Sequence, residues 1–263
     1  MRMTDKVAVI TMAGDEFGRA IALGYAREGA DLYLNEFPDR RARLDEVARE
    51  AAALGRRVVT GVHDLTRSAE AEAMTRQVID AFGRVDVLVN SAAASVHGVL
   101  FDIDEAEFER AMLVGPKSYF LTCQHIGKEM ARHGSGKIIN MTSIVGRIGS
   151  GGAIVWGADR GAIDAMTKAL AHALGLYGVH VNALARGASD FTPYAPDEIT
   201  ERLRRLPFGR LGTAEDVVGP AIFLATAESD WVTGSILYAD GGYTSAAATD
   251  DRHRPREVPY RGS

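Results

Sequence analysis

Ser143 stands thirteen residues before Trp156, and Arg160 follows Trp156 by four. A serine hydroxyl can orient a substrate, although a serine at a strand end is more often a turn hydroxyl. An indole N–H can donate a hydrogen bond but cannot cycle a proton near neutral pH. A guanidinium stays charged and relays no proton. Upstream, Thr11-Met12-Ala13-Gly14-Asp15-Glu16-Phe17-Gly18 is a glycine-bearing stretch at the start of a helical pattern. Glycines there let a phosphate group approach the backbone at a helix N-terminus. Glu36, Asp64 and Asn90 each follow an apolar run, as helix caps and ligand contacts both do. His63, His97, His125, His172 and His180 show no metal-ligand spacing, and no neighbouring cysteine or carboxylate pairs complete a set. Neither a nucleophile elbow nor a phosphate-binding loop with lysine occurs.

The elements that must position these residues alternate between short β-branched runs and longer segments of helical period, which is the pattern of parallel βαβ units. Strands are expected at 7–11, 31–35, 57–62, 85–89, 137–141, 179–184 and 235–239. Between them lie helical segments at about 18–28, 39–54, 68–82, 105–132 and 153–176, and near 196–205 and 214–227. Gly29, Gly55 and Gly83 stop the first three, and Ser68 reads as the cap of the third. Gly115-Pro116 interrupts the fourth, where a residue without an N–H should kink the helix. The expected fold is a single α/β domain, a Rossmann-type doubly wound parallel sheet with helices on both faces. It spans 1–244 and is followed by an arginine- and proline-containing tail over 245–263 with little to bury, extended or ordered only against a partner.

Composition narrows the function classes. With 46% hydrophobic and 25% charged residues the chain reads as an ordinary soluble domain. A net charge of −5 gives no electrostatic footprint for nucleic acid. No apolar run approaches the roughly 18 residues of a membrane span. The one cysteine, Cys123, rules out an intrachain disulfide and points to a reducing, cytoplasmic compartment.

Taken in order, the glycine turn, Glu36, Asp64-Leu65, Asn90-Ser91-Ala92-Ala93, Ser143 with Trp156 and Arg160, Arg210-Leu211-Gly212 and Asp240-Gly241-Gly242 resemble the short-chain dehydrogenase/reductase family over about residues 5–244. The resemblance implies an NAD site and carbonyl chemistry, with Thr11, Gly14, Gly18, Glu36, Asp64 and Asn90 as cofactor-contacting positions. Of the family pattern Thr-Gly-x-x-x-Gly-x-Gly only Gly18 matches among the glycines; Met12 and Glu16 take the other two places. A positive φ at Met12 would cost about 1–2 kcal/mol. A carboxylate about 5 Å from a phosphate would cost roughly 3 kcal/mol per charge pair at an effective dielectric of about 20; the alternative is a loop shifted so that Glu16 faces water. Glu36 is placed to accept hydrogen bonds from an adenosine ribose.

By the same resemblance, catalysis uses a serine, a tyrosine, a lysine and an asparagine. Ser143 matches the serine, whereas Trp156, Arg160 and Gly115 occupy the other three positions, and Arg186-Gly187 replaces the usual Pro-Gly. The expectation is a catalytically degenerate, pseudoenzyme member of the family with no cofactor, or NAD if any. It would assemble as a homo- or hetero-oligomer, a tetramer, with an active relative. The alternatives are an NAD-dependent oxidoreductase with an altered active site, and a non-redox enzyme of halohydrin-dehalogenase type, for which Ser143 and Arg160 have the right spacing but Trp156 is no base.

Overall fold

The computed structural model describes residues 1–245; the expected tail, apart from Ser245, lies outside them. The chain runs β1 (Val7–Thr11), α1 (Glu16–Arg27), β2 (Asp31–Glu36), α2 (Arg41–Ala53), β3 (Val58–Val62) and α3 (Ser68–Phe82). It continues through β4 (Val87–Asn90), α4 (Glu105–Met112), α5 (Ser118–His133), β5 (Gly136–Ser143) and α6 (Ile154–Gly175). It closes with β6 (Val179–Arg186), α7 (Pro196–Arg205), α8 (Val218–Ala225) and β7 (Ile236–Ala239). The strands form one seven-stranded sheet in the order β3-β2-β1-β4-β5-β6-β7, with every pair parallel.

Side chains that alternate along a strand face opposite sides of a sheet, and here both sides are covered. Ala8 and Ile10 of β1 pack in one core with α1, α2 and α8. Val9 between them packs in a second core with α3, α5 and α6. That is why β1 and β4 are buried at every residue and apolar almost throughout. The chain first winds outward from β1 to β3 and then returns to place β4 against the other side of β1. A crevice therefore opens beyond the C-terminal ends of β1 and β4, where doubly wound folds bind ligands.

Several bounds differ from the sequence expectation by a few residues, and the segment expected as a helix near 214–227 is helical only over Val218–Ala225 between two 3-10 turns. Ser68 is the first residue of α3 rather than its cap; Arg67 holds the cap position without a side-chain hydrogen bond. Strands β5 and β6 run on to Ser143 and Arg186, carrying both residues to the edge of the crevice. Pro116 does not break the long helix: Leu113–Lys117 widens into a π turn joining α4 to α5, which accommodates a residue that cannot donate to the helical ladder.

Candidate active site

The turn after β1 is held by its own side chains. Thr11 is buried and its Oγ1 accepts the Ser91 N–H at 3.0 Å, tying β1 to the segment after β4. Met12 has φ +50°, the left-handed conformation that glycine adopts without strain. Its side chain is buried, packs with Ala92, Tyr119 and Ile163, and brings Sδ to 3.4 Å from the Ala93 N–H. Gly18 is required by packing, since a Cβ there would lie 2.3 Å from the Met12 carbonyl oxygen.

Glu36 is fully buried. Its Oε2 accepts the Gly14 N–H at 3.0 Å and its Oε1 accepts the Phe37 N–H at 2.9 Å. Burial raises its pKa above the ordinary carboxylate value, against the pull of those two N–H donors. A Cβ on Gly14 would come 2.9 Å from Cβ of Arg43, so α2 lies directly over the turn. The carboxylate expected to face a ribose is thus engaged with the turn itself. Glu16 is exposed at the start of α1, so the water-facing arrangement is the one adopted. Beside it, Asp15 is pushed up to about 7, first by burial and then by its hydrogen bond to Glu16.

Asp64 and Asn90 have local roles. Asp64 Oδ1 accepts from the N–H and the hydroxyl of Thr66, closing the turn after β3. The Asn90 amide donates to Asn140 Oδ1 at 3.0 Å, and its Oδ1 accepts the Thr122 hydroxyl at 2.7 Å. Asn140 in turn donates to Thr167. This buried chain links β4, β5, α5 and α6 beneath the crevice.

Ser143 and Arg186 are register partners at the C-terminal ends of β5 and β6. Arg160 is buried on α6, donating to the carbonyls of Met141 at 3.1 Å and Ala92 at 3.3 Å and pairing with Asp159 at 2.9 Å. Gly115 makes that pair possible, because a Cβ there would meet Asp159 Oδ1 at 2.3 Å. Asp159 Oδ1 and Arg160 Nε have no hydrogen-bond partner, and burial raises the Asp159 pKa. Trp156, on the first turn of α6, is 5% exposed with an unpartnered indole N–H. The Arg186 guanidinium lies over its ring at 4.4 Å, and the His97 ring meets it edge-on at 4.9 Å.

Sequence reasoning located Ser143, Trp156, Arg160 and Gly115, and the fold brings all four to the same end of the sheet. It missed Asp159, whose importance depends on Gly115 from a different helix. It noted Arg186 only as a missing proline; an arginine closing a strand beside Ser143 was the available signal. Among the described residues no group of three or more His, Cys, Asp or Glu side chains could hold a metal ion. None of the described helices is long and apolar enough to cross a membrane. The dinucleotide that the fold implies would meet a crowded turn here: the Met12 side chain packs against Ala92, Tyr119 and Ile163, both Glu36 oxygens accept backbone N–H groups, and Arg160 is engaged with Asp159 and two backbone carbonyls.

Comparison with known proteins places the chain. Residues 13–244 match the family model described as enoyl-(acyl carrier protein) reductase. The chain is 34% identical to subunit BbsD of (2S)-((R)-hydroxy(phenyl)methyl)succinyl-CoA dehydrogenase from Thauera aromatica, over 92% of this chain and 98% of that protein. It is 32% identical to the 3-oxoacyl-(acyl-carrier-protein) reductase of Thermotoga maritima, over 92% of this chain and 99% of that one. A short-chain type dehydrogenase/reductase from Mycobacterium marinum superposes with a TM-score of 0.85 at 28% identity, covering 93% of this chain and 97% of the other. Fold, motif order and full-length similarity agree, and the chain belongs to the short-chain dehydrogenase/reductase family.

Proposed function

We propose that this chain is a non-catalytic subunit of the short-chain dehydrogenase/reductase family that assembles with an active relative. The observation that carries this reading is the Gly115–Asp159–Arg160 arrangement. The residue at the family's lysine position, Arg160, forms an internal ion pair with its neighbour Asp159, and Gly115 in the facing turn leaves room for it. Losing one partner of such a buried pair is strongly destabilising, and the other Arg160 donors tie α6 to the carbonyls of Met141 and Ala92, leaving them unavailable to a substrate. Trp156 beside Ser143 supplies no regenerable proton.

Surfaces for assembly remain. Phe108, Leu113, Phe120 and Ile154 leave apolar side chains exposed on α4, the π turn, α5 and α6, and burying such area on another subunit is favourable. β7 is an edge strand with one side unpaired. The Thauera relative is by its name one subunit of a dehydrogenase.

An NAD-dependent oxidoreductase is the second reading, favoured by the names of the relatives. It needs a regenerable proton donor at the Trp156 position, and of the side chains described around that ring only the His97 imidazole could cycle a proton. The experiment is native mass spectrometry of the tagged chain isolated from its own cells, with NADH oxidation measured on the purified chain and on the complex. The expected result is a heteromer with an intact short-chain dehydrogenase, active as the complex and inactive as the separate chain. A monomer or homo-oligomer with robust turnover of its own would overturn the reading.

A further inference from the structure

On the far side of β6 from Ser143, a groove of about 360 Å³ lies between the ends of β6 and β7 and the connection from α7 to α8. Leu206, Phe208, Pro220, Tyr238 and Ala239 give it apolar walls. Its charged residues are already engaged. Arg210 pairs with Asp216 at 2.6 Å. The Asp240 carboxylate accepts the N–H groups of Gly242 and Thr244 and the Thr244 hydroxyl. What the groove offers is therefore apolar area, and Phe208 on its wall is 76% exposed.

Three observations say what covers it. The first is where the chain leaves the domain. Gly241 and Gly242 take φ +62° and +84° and pack on the groove wall, a Cβ at each meeting Leu206 at 3.2 Å and Pro207 at 2.9 Å. The Ser245 hydroxyl then donates to the Gly242 carbonyl at 2.7 Å, so the chain continues from the groove's own rim. The second is that the 18 residues from 246 to 263 are an addition to the family's domain. The family model ends at residue 244, and the Thermotoga reductase, matched over 99% of its length, accounts for 92% of this chain. The third is composition. Val258-Pro259-Tyr260 is the one cluster of large apolar residues in that tail, and its four arginines outnumber its three carboxylates in a chain of net charge −5.

We propose that Val258-Pro259-Tyr260 of the chain's own tail occupies this groove within the same molecule, the tyrosine ring covering Phe208 and Tyr238. Tyr260 is 15 residues beyond Ser245, a tether whose root-mean-square reach is about 20 Å. Such a tether holds its end near the groove at an effective concentration on the order of millimolar. A second copy at micromolar concentration is roughly a thousandfold more dilute, and that ratio decides for the tail of the same chain. Pro259 restricts the segment to extended backbone, and Tyr260 buries an apolar ring while its hydroxyl stays in water. The contact stands whether the chain is catalytic or not.

The test is backbone hydrogen exchange on the full chain, comparing the native protein with the double variant Val258→Ser, Tyr260→Ser. Both substitutions lie beyond the folded elements, so the sheet and its cores stay as they are. Peptides spanning 206–212 and 238–243 should exchange about fivefold faster or more in the double variant. Tyr260→Phe, which keeps the ring, should retain the native protection. The native protection should also be the same at about 1 µM and about 50 µM protein, as an intramolecular contact requires. Equal exchange in the native chain and the double variant would overturn the proposal. So would native protection that disappears on dilution, which would assign the groove to a second copy.

Discussion

At the scale of single residues, Asp15 and Arg186 show how burial shifts a charged group. Asp15 lies at the N-terminus of α1, where a carboxylate is ordinarily stabilised as the anion. Burial and the adjacent Glu16 outweigh that effect and raise it from 3.8 to about 7. A carboxyl group whose folded pKa is raised contributes stability that is full below its unfolded pKa and lost as pH rises through the folded one. Asp15→Asn, which keeps a donor for Glu16 and cannot ionise, should therefore gain stability over the native chain as pH rises from about 4 through about 7. Urea unfolding across that range measures it. A difference that stays constant with pH would show that Asp15 ionises normally. Burial likewise lowers the Arg186 pKa to about 10, still well above neutrality, so its guanidinium remains a cation.

At the scale of elements, the long helix and α6 fit together through one missing side chain. The π turn brings Gly115 against Asp159, and adding a methyl there would place Cβ 2.3 Å from Asp159 Oδ1. Overpacking of this kind costs about 1–3 kcal/mol. Gly115→Ala should lower stability by that amount in the native chain and by much less when Asp159 is also alanine. Directly contacting residues couple in such cycles, whereas distant ones add. Additive costs would mean that the two do not meet. The helix itself was legible in the sequence, and so was the disturbance at Pro116. Its form was not, because a kink and a π turn are equal local answers to a missing N–H and packing against α6 decides between them. The bounds of β1, α3 and α7 were read correctly, since apolar period and glycine stops define them locally. The ends of β5 and β6 ran past their apolar cores to Ser143 and Arg186, and polar residues at a strand end carry no such periodic signal.

At the scale of the whole molecule, the parallel sheet and its two covered faces followed from the alternation of strands and helices, and the strand order places the crevice beyond β1 and β4. What the crevice holds was only half legible. The substitutions at Met12, Trp156 and Arg160 are visible in the sequence; the inward turn of Glu36 onto Gly14 is a tertiary event that no spacing encodes. The turn carries Met12 and Glu16 where the family pattern has glycines. Glu16 faces water, so the proposed obstruction of a dinucleotide rests on the Met12 side chain, Glu36 and α2 over Gly14. The account therefore stands most directly on one titration: NADH added to the purified chain, followed by nicotinamide fluorescence and by melting temperature. A ligand at a hundred times its dissociation constant stabilises by about 2.7 kcal/mol, so a functioning site could not escape detection. The expected result is no saturable signal up to about 1 mM, which corresponds to a binding free energy weaker than about −4 kcal/mol. Saturable binding at low micromolar NADH, with a matching rise in melting temperature, would contradict it.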